Sequence, residues 1–168
     1  MDLLDRELYR SLREDKSTAI LLGDVDHFKQ INDTSGHGIG DQVLIEISSR
    51  LIGAVRSYDF IGRYGGEEFL VVLNGCDTDY APARAEEIRR SISRRPILTA
   101  KGSLTVTMSF GILQSAEWGR RSLEDLLPAT DNALYEAKAA GRDCLCLAKP
   151  PAPLGLPFEP TRTMRQLR

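Results

Sequence analysis

Apolar residues recur along this chain at two periods, and the two alternate. Over 2–14, Leu3, Leu4, Leu8 and Leu12 fall on one helical stripe. Residues 19–26 read Ala-Ile-Leu-Leu-Gly-Asp-Val-Asp, an apolar run that predicts a strand. A short helix is expected from His27, capped by Asp26, with a turn over 33–38. A long helix follows over 39–55, with Val43, Leu44, Ile47 and Leu51 inward. Residues 58–63 and 68–73 predict the arms of a hairpin. The next helix spans 77–94, opening on an Asp/Thr cap region, with Ala81, Ala85, Ile88 and Ile92 inward. Residues 97–100 and 104–113 predict a second strand pair across a Lys-Gly turn. A helix over 122–140 buries Leu123, Leu126, Leu127, Thr130 and Leu134, and Gly141 stops it. A last strand covers 143–148. Hairpins with helices on one face predict an α+β fold of the palm or ferredoxin-like kind, with an antiparallel-rich central sheet.

Composition narrows this reading. The chain's 168 residues suit one domain, expected over 1–148. Beyond it, Pro150, Pro151, Pro153, Pro157 and Pro160 crowd a segment, 149–168, expected to be a flexible tail. Formal charge is −2, from 22 basic and 24 acidic residues, so nothing draws the whole chain to nucleic acid or an anionic membrane. Cys76, Cys144 and Cys146 are odd in number and match no common metal or redox spacing. Reduced thiols and the lack of a visible signal peptide predict a cytoplasmic location. No apolar run approaches membrane-spanning length.

Chemistry concentrates at two places. The first strand ends Gly23-Asp24-Val25-Asp26. Residues i and i+2 face one side, so both carboxylates could meet a cation, although Asp26 has a competing task as a cap. The second place is Arg63-Tyr64-Gly65-Gly66-Glu67-Glu68-Phe69, where two glycines suit a tight turn with φ > 0 and two acids crowd its tip. A solvated turn with surface glutamates is the plain alternative. If the strand and hairpin are neighbours, Asp24 and Glu67 converge on a site for a hard divalent cation.

These motifs, with Lys29, Asn32, Gly36-His37, Gly40-Asp41 and the closing 137–142 segment Ala-Lys-Ala-Ala-Gly-Arg, resemble the GGDEF family of diguanylate cyclases over roughly 17–148. The family fold is similar to the polymerase palm and the class III nucleotidyl cyclases. The resemblance implies that two GTP condense to cyclic di-GMP with loss of two pyrophosphates, in bacterial signalling. It implies two Mg²⁺ per site, replaceable by Mn²⁺, held by Asp24, the Val25 carbonyl and Glu67. Glu67 would help deprotonate the attacking hydroxyl, Glu68 would be a further acid, and Lys29 would stabilise the transition state. Phe28 and Lys29 N–H groups, Gly65, Gly66, Lys138 and Arg142 would bind phosphates, and Asn32 and Asp41 would read guanine. His37 would contact substrate or be a simple turn residue. Lys138 and Arg142 taken alone also read as helix-terminal cations.

Arg56-Ser57-Tyr58-Asp59 is similar to the family's inhibitory site for its product, with Glu87 where some members carry an arginine. Catalysis would need a homodimer, with neither nucleic acid nor membrane as partner. The family's opening segment lies outside this sequence, so the chain reads as a truncated module whose Arg63 lacks an acidic partner. The rival reading is a catalytically weak cyclic di-GMP-binding module, which the intact acids disfavour. Nucleotidyl transfer to another product is a third.

Overall fold

The computed structural model describes residues 17–76, 79–118 and 122–150. The helix expected over 2–14, the tail from 151 and the Asp77-Thr78 cap region lie outside these residues. Strand β1 (Thr18–Val25) is buried along its whole length. It is the middle strand of a five-stranded sheet ordered β2-β3-β1-β6-β7, formed with β2 (Phe60–Arg63), β3 (Glu68–Asn74), β6 (Met108–Gln114) and β7 (Leu145–Leu147). All pairings are antiparallel except β6–β7. The unbroken apolar run of β1 has its reason here, since a central strand covered on both faces needs no polar alternation.

Helices cover both faces, not one. Ala19, Leu21 and Val25 pack with α2 (His37–Ala54) and α3 (Ala81–Ser93), joined by Phe28 of α1 (Phe28–Ser35). Ile20, Leu22, Leu70 and Val72 point the other way, into a cluster with Leu126, Ala133 and Leu134 of α4 (Leu123–Ala139). α4 starts on a capping box in which the Ser122 hydroxyl accepts from the Asp125 N–H.

Two further expectations are corrected. The run 104–113 is not one strand. β4 (Ile97–Thr99) and β5 (Gly102–Leu104) form a separate hairpin, turned by Gly102 at φ 118°. After a break at 105–107 the chain enters the central sheet as β6, whose seven residues are all buried. Asp26 does not cap α1. His27 occupies that position in a left-handed conformation, φ 58°, without a side-chain cap, because the Asp26 carboxylate is engaged elsewhere.

α4 lies very close to the sheet. A Cβ on Gly111 of β6 would sit 2.1 Å from the Thr130 carbonyl oxygen, so only glycine permits this approach. The approach brings the C-terminal end of α4 over the end of β1.

Candidate active site

β1 and β3 pair with Asp24 directly opposite Glu68. Side chains alternate along strands, so Asp24 and Glu68 share the face that Leu22 and Leu70 give to α4. Two like charges directly opposite across strands oppose folding. The answering charge comes from α4, whose Lys138 Nζ lies 2.9 Å from Asp24 Oδ2. Burial nevertheless pushes the Asp24 carboxyl above its ordinary range, against the pull of Lys138, and the Glu67 and Asp26 charges add to the rise. Glu68 is raised too, by burial first and then by Asp24.

Glu67 joins through the backbone, with its carbonyl accepting from the Val25 N–H at 3.3 Å. The hairpin turn is built differently from expectation. Neither Gly65 nor Gly66 has a positive φ. The loop is four residues long, closed by Tyr64 N–H to Glu68 O at 2.9 Å and Glu68 N–H to Gly65 O at 3.2 Å. A Cβ on Gly65 would lie 2.8 Å from Glu68 Oε2, the free end of a flexible side chain that can turn aside. Arg63 folds over the loop and donates to the Gly66 carbonyl from Nε at 2.8 Å and Nη2 at 2.5 Å. It thus has a partner inside the hairpin.

Asp26 diverges from Asp24. Its Oδ1 accepts from Ser109 Oγ at 2.7 Å, and its Oδ2 from Thr107 Oγ1 at 2.7 Å and the Asp143 N–H at 3.0 Å. Of the two acids expected to meet a cation, Asp26 is therefore already engaged by three donors, and Asp24 is not. The sequence reading missed Thr107, Ser109 and Asp143; nothing in their spacing from Asp26 announces the contact.

α1 and α2 form the neighbouring wall, joined through Gly36 at φ 86°. Phe28 is buried and Lys29 exposed at the start of α1, which has no side-chain cap and so leaves backbone N–H groups open. The side-chain oxygen of Asn32, Oδ1, is buried without a hydrogen-bond donor. Gly40 makes room for it, since a Cβ there would fall 2.0 Å from Asn32 Oδ1. His37 and Asp41 are exposed on the first turns of α2. Arg142 is exposed just beyond α4.

Arg56 and Asp59 lie in the loop ahead of β2. The Asp59 carboxylate accepts from the Arg56 N–H at 2.9 Å and the Asn74 N–H at 3.0 Å, so it shapes its own loop. The Arg56 guanidinium lies over the Tyr58 ring, 5.7 Å from its centroid, and Nη1 donates to the Tyr58 hydroxyl at 2.7 Å. Glu87 pairs with Arg84, which also donates to the Ala54 carbonyl at 2.9 Å.

Among the described residues no three acids, histidines or cysteines gather closely enough to hold a metal unaided. Yet a buried, charge-strained Asp24 already holds one cation, the Lys138 ammonium, beside further carboxylates. That donor set fits a hard cation shared with a ligand's phosphates, a common arrangement for Mg²⁺.

The family described as diguanylate cyclase, GGDEF domain, matches residues 1–144. The chain belongs to the GGDEF family. Diguanylate cyclase A of Treponema denticola is 41% identical over 150 residues, covering 88% of this chain and 40% of that protein. The response regulator PleD of Caulobacter vibrioides is 43% identical over 144 residues, covering 84% and 32%. The chain thus spans well under half the length of these curated relatives. Among solved structures, the GGDEF domain of DgcB from Caulobacter crescentus, in complex with c-di-GMP, superposes with a TM-score of 0.77 at 30% identity, covering 86% of this chain and 85% of that one. The GGDEF domain of PA1120 from Pseudomonas aeruginosa gives 0.81 at 34%, covering 86% and 92%. The mixed sheet between helices is therefore the GGDEF fold, α+β as its element order implied.

Proposed function

We propose that this GGDEF domain is a diguanylate cyclase that condenses two GTP into cyclic di-GMP. The observation that carries the reading is the Asp24–Glu68 register with Lys138 above it and Glu67 alongside. Each of two condensations forms a bond from a 3′-oxygen to an α-phosphorus and breaks the bond from that phosphorus to the β-phosphate bridge, releasing pyrophosphate. The hydroxyl proton leaves to Glu67 or, through it, to solvent. Asp24, the Val25 carbonyl and Glu67 would hold Mg²⁺, two per site, with Mn²⁺ able to replace them. Bound there, the ions would lower the hydroxyl's pKa and screen charge on the phosphates.

The chain's own groups do the rest. Lys138, Arg142, Lys29 and the open N–H groups at the start of α1 bind the triphosphate. The loop of Gly65 and Gly66 lets phosphate approach the backbone. The orphan Asn32 oxygen needs a donor, which a guanine amino group supplies and adenine at that edge does not; an unmet buried acceptor costs about 1–3 kcal/mol. Asp41 accepts from guanine N–H groups, and His37 stands beside it at the start of α2. Glu68 tunes the field at Asp24. Two copies must face each other, each carrying one GTP. Product would bind at Arg56 and Asp59 and inhibit, with Glu87 altering the strength. None of the described helices is long and apolar enough to cross a membrane, and a GTP-consuming role belongs in the cytoplasm.

The test is incubation with GTP and Mg²⁺, with products identified by mass spectrometry, for wild type and Glu67→Gln. Cyclic di-GMP from wild type and almost none from a folded Glu67→Gln supports the reading. Product binding without synthesis would support the binding module instead. Undiminished yield from Glu67→Gln would sink the role given to Glu67.

A further inference from the structure

Three successive residues after α4 take positive φ: Gly141 at 119°, Arg142 at 66° and Asp143 at 46°. Glycine adopts this freely, but arginine and aspartate do not, and such a run persists only where its surroundings hold it. The Arg142 N–H ties the turn to the Ala137 carbonyl at 3.2 Å, and two side chains hold Asp143 from opposite sides. From the sheet, Asp26 Oδ2 accepts the Asp143 N–H at 3.0 Å. Asp26 is 4% exposed and anchored by Thr107 and Ser109, so its position is fixed. From α3, Arg89 Nη1 donates to Asp143 Oδ1. Arg89 is fixed in turn by Glu86, through Nε at 2.7 Å and Nη2 at 2.8 Å. Asp143 is thus gripped by backbone and side chain together. Arg142 stands immediately before it, one turn beyond Lys138.

We infer that Asp26 and Arg89 are positioning residues: they clamp Asp143, and the clamp holds the left-handed turn that aims Arg142 at the nucleotide's triphosphate. This rests on the proposed phosphate-binding role of Arg142 and adds what keeps that side chain in place. Without the clamp only the Arg142 N–H bond to the Ala137 carbonyl holds the turn, which then relaxes toward negative φ and turns the Arg142 side chain another way.

The experiment is calorimetric titration with 3′-deoxy-GTP and Mg²⁺, a ligand that lacks the attacking hydroxyl. The proteins are wild type, Arg89→Leu, Arg142→Ala and the double variant, with melting temperatures recorded for each. Arg89→Leu is expected to weaken binding roughly tenfold, and Arg142→Ala at least as much. The double variant is expected to bind no worse than Arg142→Ala, because both changes remove one contact. Arg89→Lys, which keeps the charge facing Asp143, restores part of the loss and replaces the leucine variant in the cycle if that protein does not fold. A loss of stability alone would not produce this non-additivity. Additive losses, or wild-type binding by Arg89→Leu while Arg142→Ala is weakened, overturn the clamp and leave the role of Arg142 standing. Wild-type binding by Arg142→Ala overturns both.

Discussion

Asp24 lies near the end of β1 and Asp26 just beyond it, two positions apart and both buried, yet their surroundings differ in kind. The region around Asp26 is closed: two hydroxyls and a backbone N–H meet its carboxylate, all neutral donors aimed at it. The region around Asp24 is open: one ammonium faces it, a glutamate lies directly across the ladder, and burial holds its carboxyl above the ordinary range. The first carboxylate does its work by completing a network, and its removal strands three donors. The second retains unmet electrostatic demand, which a cation and a phosphate can answer. A buried acid with a full set of donors reads as architecture; one short of them reads as chemistry.

The largest effect that tests this contrast is on turnover. Asp24→Asn removes the anion while keeping its shape, and the rate of cyclic di-GMP formation is expected to fall at least about a hundredfold. Because burial dominates the raised pKa of Asp24, the melting temperature of this variant holds or rises. A drop of several degrees would mean that the Lys138 pair outweighs desolvation and that the contrast is misdrawn.

The next effect is on stability. Asp26→Ala leaves the Thr107 and Ser109 hydroxyls and the Asp143 N–H without their acceptor, and a loss of about 3 kcal/mol or more is expected in urea unfolding. A loss no larger than that of a surface substitution would break the comparison from the other side.

Smaller again is Gly111→Ala. Its new methyl meets the Thr130 carbonyl 2.1 Å away, so α4 must move outward. A cost of about 1–3 kcal/mol is expected, together with weaker nucleotide binding, since Lys138 rides on α4. Destabilisation with unchanged binding would show that the reach of Lys138 does not depend on this packing.

The smallest effect concerns a half-buried acid satisfied by cations. Hydrogen bonds from Arg89, and then Arg90, hold the Glu86 carboxyl down from 4.5 to about 2. A folded pKa below the unfolded one means that the unfolded chain binds more protons between these values. The contribution is complete above 4.5 and disappears as pH falls through about 2. Glu86→Gln should therefore narrow the stability gap to wild type as pH drops through that window, as read by urea unfolding. A gap independent of pH would remove Glu86 from the account.

Much of this was legible in the sequence, for physical reasons that are local. The apolar run ending in Asp24 marks a central strand because burial on both faces tolerates no alternation. The stripes of α2 and α4 announce their inward sides, and the adjacent acids of the Gly65–Glu68 loop stand out because packing cannot explain them. Other features depended on contacts between distant segments. The role of Asp26 is invisible locally, since Ser109 and Asp143 lie 83 and 117 residues away along the chain. The turn glycines also misled: the loop runs over four residues and is closed by backbone bonds to Glu68, and neither glycine takes a positive φ.

The split of 104–113 into two strands likewise follows from where β6 is needed, beside β1, and not from its own pattern. What the sequence by itself determined is most of the set of elements and the candidate reactive groups, because helix and strand periods and side-chain chemistry are carried by neighbouring residues. Only the tertiary structure decided which of two near-identical aspartates is met by a full set of donors and which is left short of them. That choice is made by donors brought from other strands, a helix and a turn, and it exists only once the sheet has closed.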